Sequence, residues 1–122
     1  MSPQDKQRLL VERLYSRTVE KKLSWVSAAG NMVVTSTSSA SICVREGVNE
    51  NAEPIIIIEI FNSEGELRDR FSDDDIKGAQ PAGSFLSYYQ MMRAIHATAG
   101  RQASGADKTL DDLLGDLEDL PS

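Results

Sequence analysis

Apolar positions repeat with two different periods along this chain, and the changes of period mark its elements. Val11, Leu14, Tyr15 and Thr18 recur at helical spacing, with Leu10 and Val19 widening the stripe. Ser2 suits a cap, Pro3 the first helical position, and Asp5 follows three residues after the cap, so the first helix is expected to run to about Lys21. From residue 23 the period shortens. "LSWVSA", with Leu23, Trp25 and Ser27 on one face, predicts a short strand, and Gly30-Asn31 a turn. "MVVTSTSS" and "ASICVRE" are rich in β-branched residues and predict two strands of a meander. After the polar "GVNENAE", Pro54 opens "IIIIEIF". That run does not alternate, so both its faces should be covered, as in a central strand. "NSEG" predicts a hairpin turn. "ELRDRFS" then returns with Leu67 and Phe71 inward and Arg68 and Arg70 outward.

"DDDIKGAQPAGS" reads as a loop, with Ser84 as the cap of a second helix. In "FLSYYQMMRAIHATAG", residues Phe85, Tyr88, Tyr89, Met92, Ile95, His96 and Ala99 fall in one broad arc, wide enough to cover a sheet. Gly100 and "RQASGA" predict a break, after which Ser104 or Asp107 restarts a helix. In it Leu110, Leu113, Leu114, Leu117 and Leu120 form one apolar stripe between acids. The order of elements predicts an α+β fold: an N-terminal helix, a four- to five-stranded antiparallel meander, and a C-terminal helix or helices packed on one face. It divides the chain into a single α+β domain over 1–100, a short linker or helix break over 101–106, and an acidic amphipathic helix over 107–122.

Composition sharpens this picture in two places. The net charge is −6, but residues 107–122 hold six acids against one base, so the other 106 residues carry only −1. With no cationic face to neutralise phosphates, no nucleic-acid partner is expected. Cys43 is the one cysteine, so no disulfide closes within the chain. The N-terminal "MSPQDKQRLL" lacks the apolar core of a signal peptide, and no apolar run approaches the ~20 residues of a membrane helix. The expected compartment is the cytoplasm, with no membrane partner.

Candidate chemistry is sparse. "GAQPAGS" falls short of a phosphate-binding loop, since the lysine is missing and Pro81 removes a backbone donor. "DDDIKG" offers carboxylates at calcium-loop spacing, yet Lys77 and Ser84 stand where an oxygen ligand and a bidentate glutamate are required. His96 has no second histidine to join it at a metal and lies within the apolar arc, as a core or interface residue would. Cys43 reads as a buried, inert thiol. Glu59 shares a face with Ile55, Ile57 and Phe61, where a carboxylate needs a partner; Arg45, Arg68 or Arg70 across the strands could supply one. Trp25, Tyr88 and Tyr89 read as core aromatics. No catalytic, cofactor or metal residues are assigned. An acid–base enzyme or small-molecule binder would have to draw on Glu59, Asp73, Asp74, Asp75 or His96.

Two stretches carry resemblances. "RLYSRTVEKKLSW", through Leu14, Thr18 and Trp25 and followed by a meander and a C-terminal helix, resembles small uncharacterised bacterial α+β proteins, which implies a fold and no activity. Leu110-Asp111-Asp112-Leu113-Leu114-Gly115-Asp116-Leu117 resembles the leucine–aspartate motif of paxillin-like adaptors. That resemblance implies an amphipathic helix lying in a groove of a partner. The expectation is therefore a non-enzymatic protein-interaction or self-associating module, with Leu110, Asp111, Leu113, Leu114, Leu117 and Leu120 binding a protein partner or a second copy in a homo-oligomer such as a dimer. The alternative is a structural domain in which this helix completes its own core.

Overall fold

A computed structural model of the chain describes residues 1–120. Helix α1 (Pro3–Val19) starts where its cap residues predict. Asp5 N–H donates to Ser2 Oγ at 3.1 Å, and Ser2 N–H donates back to Asp5 Oδ2 at 3.4 Å. The bonds from Ser2 hold the Asp5 carboxyl below its usual range.

Strands β1 (Val26–Ala28), β2 (Met32–Ser36), β3 (Ala40–Val48), β4 (Pro54–Asn62) and β5 (Leu67–Ser72) form one antiparallel sheet in chain order. Gly30 (φ +73°) and Asn31 (φ +60°) supply the left-handed backbone of the β1–β2 turn. Pairing sets Val33, Val44, Ile58 and Phe71 in one row across four strands. This row faces the helices. Ile55, Ile56, Ile57 and Ile58 are all buried as their unbroken run implied, Ile56 and Ile58 beneath the helices and Ile55 and Ile57 on the other face, where no helix packs.

Against the helix face lie α1, the four-residue α2 (Asp73–Ile76) and α3 (Tyr88–Ser104). From α1 come Val11 and Leu14; from α3 come Tyr88, Met91, Met92, Ile95 and Ala99. Polar ties fix the layers. Trp25 Nε1–H donates to Thr18 Oγ1 at 3.2 Å, and Thr18 in turn donates to Leu14 O at 2.7 Å. Gln102 Nε2 donates to Thr18 O at 2.9 Å, and Arg8 Nε to Ile76 O at 2.9 Å. The architecture is the α+β arrangement expected: an N-terminal helix, a five-stranded antiparallel sheet and C-terminal helices, the last being α4 (Ala106–Glu118). No helix among the described residues is long and apolar enough to cross a membrane.

Local details differ from the sequence reading. A bulge sets Ile60 opposite Asp69 but Phe61 opposite Leu67, leaving Arg68 as the extra residue. Leu67 therefore sits on the face away from the helices and is half exposed, while Phe71 is buried beneath them. The cap of α3 is Ser87, whose Oγ accepts from Gln90 N–H at 3.2 Å, and not Ser84. Phe85 stays outside the helix because it packs edge-on against Tyr15, with ring centroids 4.9 Å apart. Gly100 does not break α3. The helix continues to Ser104 and ends at Gly105, whose φ of +72° turns the chain directly into α4.

Candidate functional site

The C-terminal helix α4 is built from good local signals. Asp107 in its first turn complements the helix dipole, and Lys108 pairs with Asp112 one turn on at 3.0 Å. Across the Gly105 turn, Arg101 grips Asp107 through Nη2 at 2.6 Å and Nε at 3.0 Å, which sets the direction in which α4 leaves α3. None of its residues is buried. Leu110, Leu113, Leu114 and Leu117 are 48–60% exposed, and Leu120 just beyond the helix is 62% exposed. Met92, Ile95 and Ala99 of α3, by contrast, are wholly buried. The expected partner-binding residues thus form one continuous stripe that this chain leaves in solvent, with Asp111 exposed beside it. Among the described residues it is the largest run of exposed leucines.

A second surface lies on the sheet face turned away from α1, α2 and α3. Pairing places Val26, Val34, Cys43, Glu59 and Arg70 in one row across all five strands. Arg45 Nε donates to Glu59 Oε1 at 3.0 Å, and Arg70 Nε lies 3.8 Å from Oε2. This is the cross-strand pairing expected of Glu59, with two guanidiniums instead of one. Cys43 Sγ–H reaches Met32 Sδ at 3.2 Å; burial, then the Glu59 charge, push its thiol above the usual range. The thiol is therefore held protonated, without nucleophilic activation. Ile57 lies over Gly47, where a Cβ would meet Ile57 Cδ1 at 2.7 Å, so the absent side chain makes room for it.

The acids of "DDDIK" form no loop of ligands. They make the helical turn α2, and each is already engaged. Ile56 N–H donates to Asp73 Oδ1 at 2.8 Å, Asn49 Nδ2 to Asp74 Oδ2 at 2.9 Å, and Ser72 N–H to Asp75 Oδ2 at 2.8 Å. Asp73 is buried, and burial pushes its carboxyl up despite the Ile56 bond. No group of three His, Cys, Asp or Glu among the described residues is placed to hold a metal ion. His96 stands on α3 with Nε2–H donating to Asn31 O at 2.6 Å and Nδ1 3.6 Å from Glu46, beside a groove of about 400 Å³. Glu59 is on the opposite face of the sheet, and Asp73 is tied to Ile56. The candidate acid–base residues are therefore not brought together. A groove of about 660 Å³ along Ile55, Ile57, Arg70 and Asp74 includes neither Glu59 nor His96.

Met91 is a core position that the sequence reading did not single out, and Asp73, named there only as a candidate acid or ligand, is a structural one. Met91 lay outside the chosen arc, though its neighbour Met92 was within it. For Asp73 the available signal was the serine before it, since Ser-x-x-Asp is a capping pattern. Compared with protein-family models, curated proteins and solved structures, the chain matches none significantly.

Proposed function

We propose that this chain is a non-enzymatic, cytoplasmic protein-interaction module that works through α4, joining a protein partner or a second copy of itself. The observation that carries this reading is the exposed stripe of four leucines on a helix with no buried residue, extended by Leu120 just beyond it. An isolated 13-residue helix is marginal in water, so its apolar face gains stability when something covers it. Helix-in-groove recognition uses such a stripe at i, i+3, i+4 and i+7, with Leu110, Leu113, Leu114 and Leu117 as the anchors here. The acids around it, Asp111 among them, keep the free helix solvated and favour a cationic partner. A role for α4 in completing the chain's own core is poorly supported, because the sheet face that looks onto the helix layer is already covered by α1 and α3. An acid–base enzyme is poorly supported too, since Glu59, Asp73 and His96 lie apart.

The test is the double substitution Leu113→Ser with Leu117→Ser, followed by light scattering over a range of concentrations and by thermal melting. The expected outcome is an unchanged melting temperature with loss of association. A large drop in melting temperature at unchanged mass would instead make α4 part of the core.

A further inference from the structure

We infer that the open face of the sheet is the seat of α4 from a second copy of this chain, so that two copies exchange helices reciprocally; this rests on the interaction role proposed for α4. The face offers what the helix lacks. Val26, Val34, Phe61 and Leu67 leave apolar surface partly or largely in solvent around buried Cys43 and Ile57. Arg45 and Arg70 stand against Glu59 in the middle of this face, a local balance of +1 in a chain of net charge −6, while Glu50, Asp74 and Asp75 line the groove at its Ile55 end. The helix is the complement. At 100° per residue its leucines make one stripe, and Asp116 and Glu118 fall about 100° to either side of its centre. An acidic helix seated on this face brings those carboxylates towards Arg45 and Arg70.

The competing seats fit less well. Two α4 helices packed stripe to stripe would set acid flanks against acid flanks. The outer surface of α1 and α3 carries cations such as Arg13 and Arg93 but few exposed apolar groups to cover leucines. Pairing through a sheet edge is blunted at both ends: β1 has three residues, and β5 is bulged and carries Arg68 and Arg70. Nor can α4 reach its own sheet's open face. It leaves the helix layer through Gly105 alone, and one residue spans under ~4 Å, whereas packed layers lie about 10 Å apart. Reciprocal exchange gives a closed pair in which each copy contributes one helix and one face, doubling the contact.

The experiment uses the full chain in sedimentation velocity, with circular dichroism and melting as controls of folding. One variant loses the helix stripe (Leu113→Asp with Leu117→Asp); another loses the face (Val34→Asp with Arg70→Glu, or Val26→Asp with Arg70→Glu should the first fail to fold). Each alone is expected to sediment as a single copy. Mixed together they should form a heterodimer, because one retains the face and the other the helix. In a separate arm, Arg70→Glu weakens association about tenfold, and adding Asp116→Arg with Glu118→Arg restores most of it. Association lost with the helix variant but kept by a folded face variant overturns the inference while leaving the interaction role of α4 intact. A wild-type chain that stays a single copy up to roughly 100 µM overturns it as well.

Discussion

Helices α3 and α4 are consecutive, are joined at Gly105 and both carry an apolar stripe, yet one is sequestered and the other bare. The stripe of α3 is made of different shapes, with Tyr88, Met91, Met92, Ile95 and Ala99 fitted against Val33, Val44, Ile58 and Phe71. That of α4 is leucine throughout, flanked by acids. Geometry explains why the second finds no cover at home. Five strands spaced ~4.8 Å apart make a sheet about 24 Å across, and two helices each ~10 Å wide already span it. With α1 and α3 in place no lane remains. Amphipathic spacing states that a face must be covered; the size of the layer decides whether the chain itself can cover it.

Substitutions can break or sharpen this contrast. The largest effect belongs to α3: Ile95→Ala removes a wholly buried side chain and should cost about 2–5 kcal/mol in denaturant unfolding. Asp73→Ala comes next, at about 1–3 kcal/mol, because Ile56 N–H is left without its acceptor. Asp73→Asn keeps an acceptor and no charge. Since the folded-state pKa of Asp73 is raised, protonation favours the folded chain, and the stability tied to the neutral carboxyl is present at low pH and lost as pH rises through the folded value. The wild type should therefore lose ground to Asp73→Asn on going from acid to neutral pH, measured by paired unfolding curves. On α4, Leu113→Ala or Leu117→Ala should change the stability of the single chain by no more than about 0.5 kcal/mol each. Gly115→Ala meets no neighbour and should strengthen the helix by up to about 1 kcal/mol, seen as added helicity with no change in the melting of the domain.

What the sequence made legible follows the range of the forces involved. The capping box of Ser2 and Asp5, the turn at Gly30-Asn31 and the unbroken buried run of β4 are local or periodic, and each can be read within a few residues. Glu59 could be paired with arginines because a carboxylate among isoleucines demands a partner and the neighbouring strands supply them. The bulge at Arg68 could not be read this way. Alternation in "ELRDRFS" looks regular, and only pairing with β4 shows that Leu67 and Phe71 occupy opposite faces. The starting point of α3 depended on Phe85 meeting Tyr15, seventy residues away in sequence. Its continuation through Gly100 shows packing on both sides outweighing a glycine cost of about 1 kcal/mol. Of the candidate site, the residues were legible and their setting was not. Five leucines at helical spacing look alike whether the sheet has room for them or not.

The most direct measurement is the unfolding free energy of the chain ending at Gly105 against that of the full chain, both diluted until each sediments as a single copy. The account predicts that the two agree to within about 1 kcal/mol, since no buried residue is lost with α4. A loss of about 3 kcal/mol or more on removing α4 would contradict it, because only leucines covered by their own domain could cost so much.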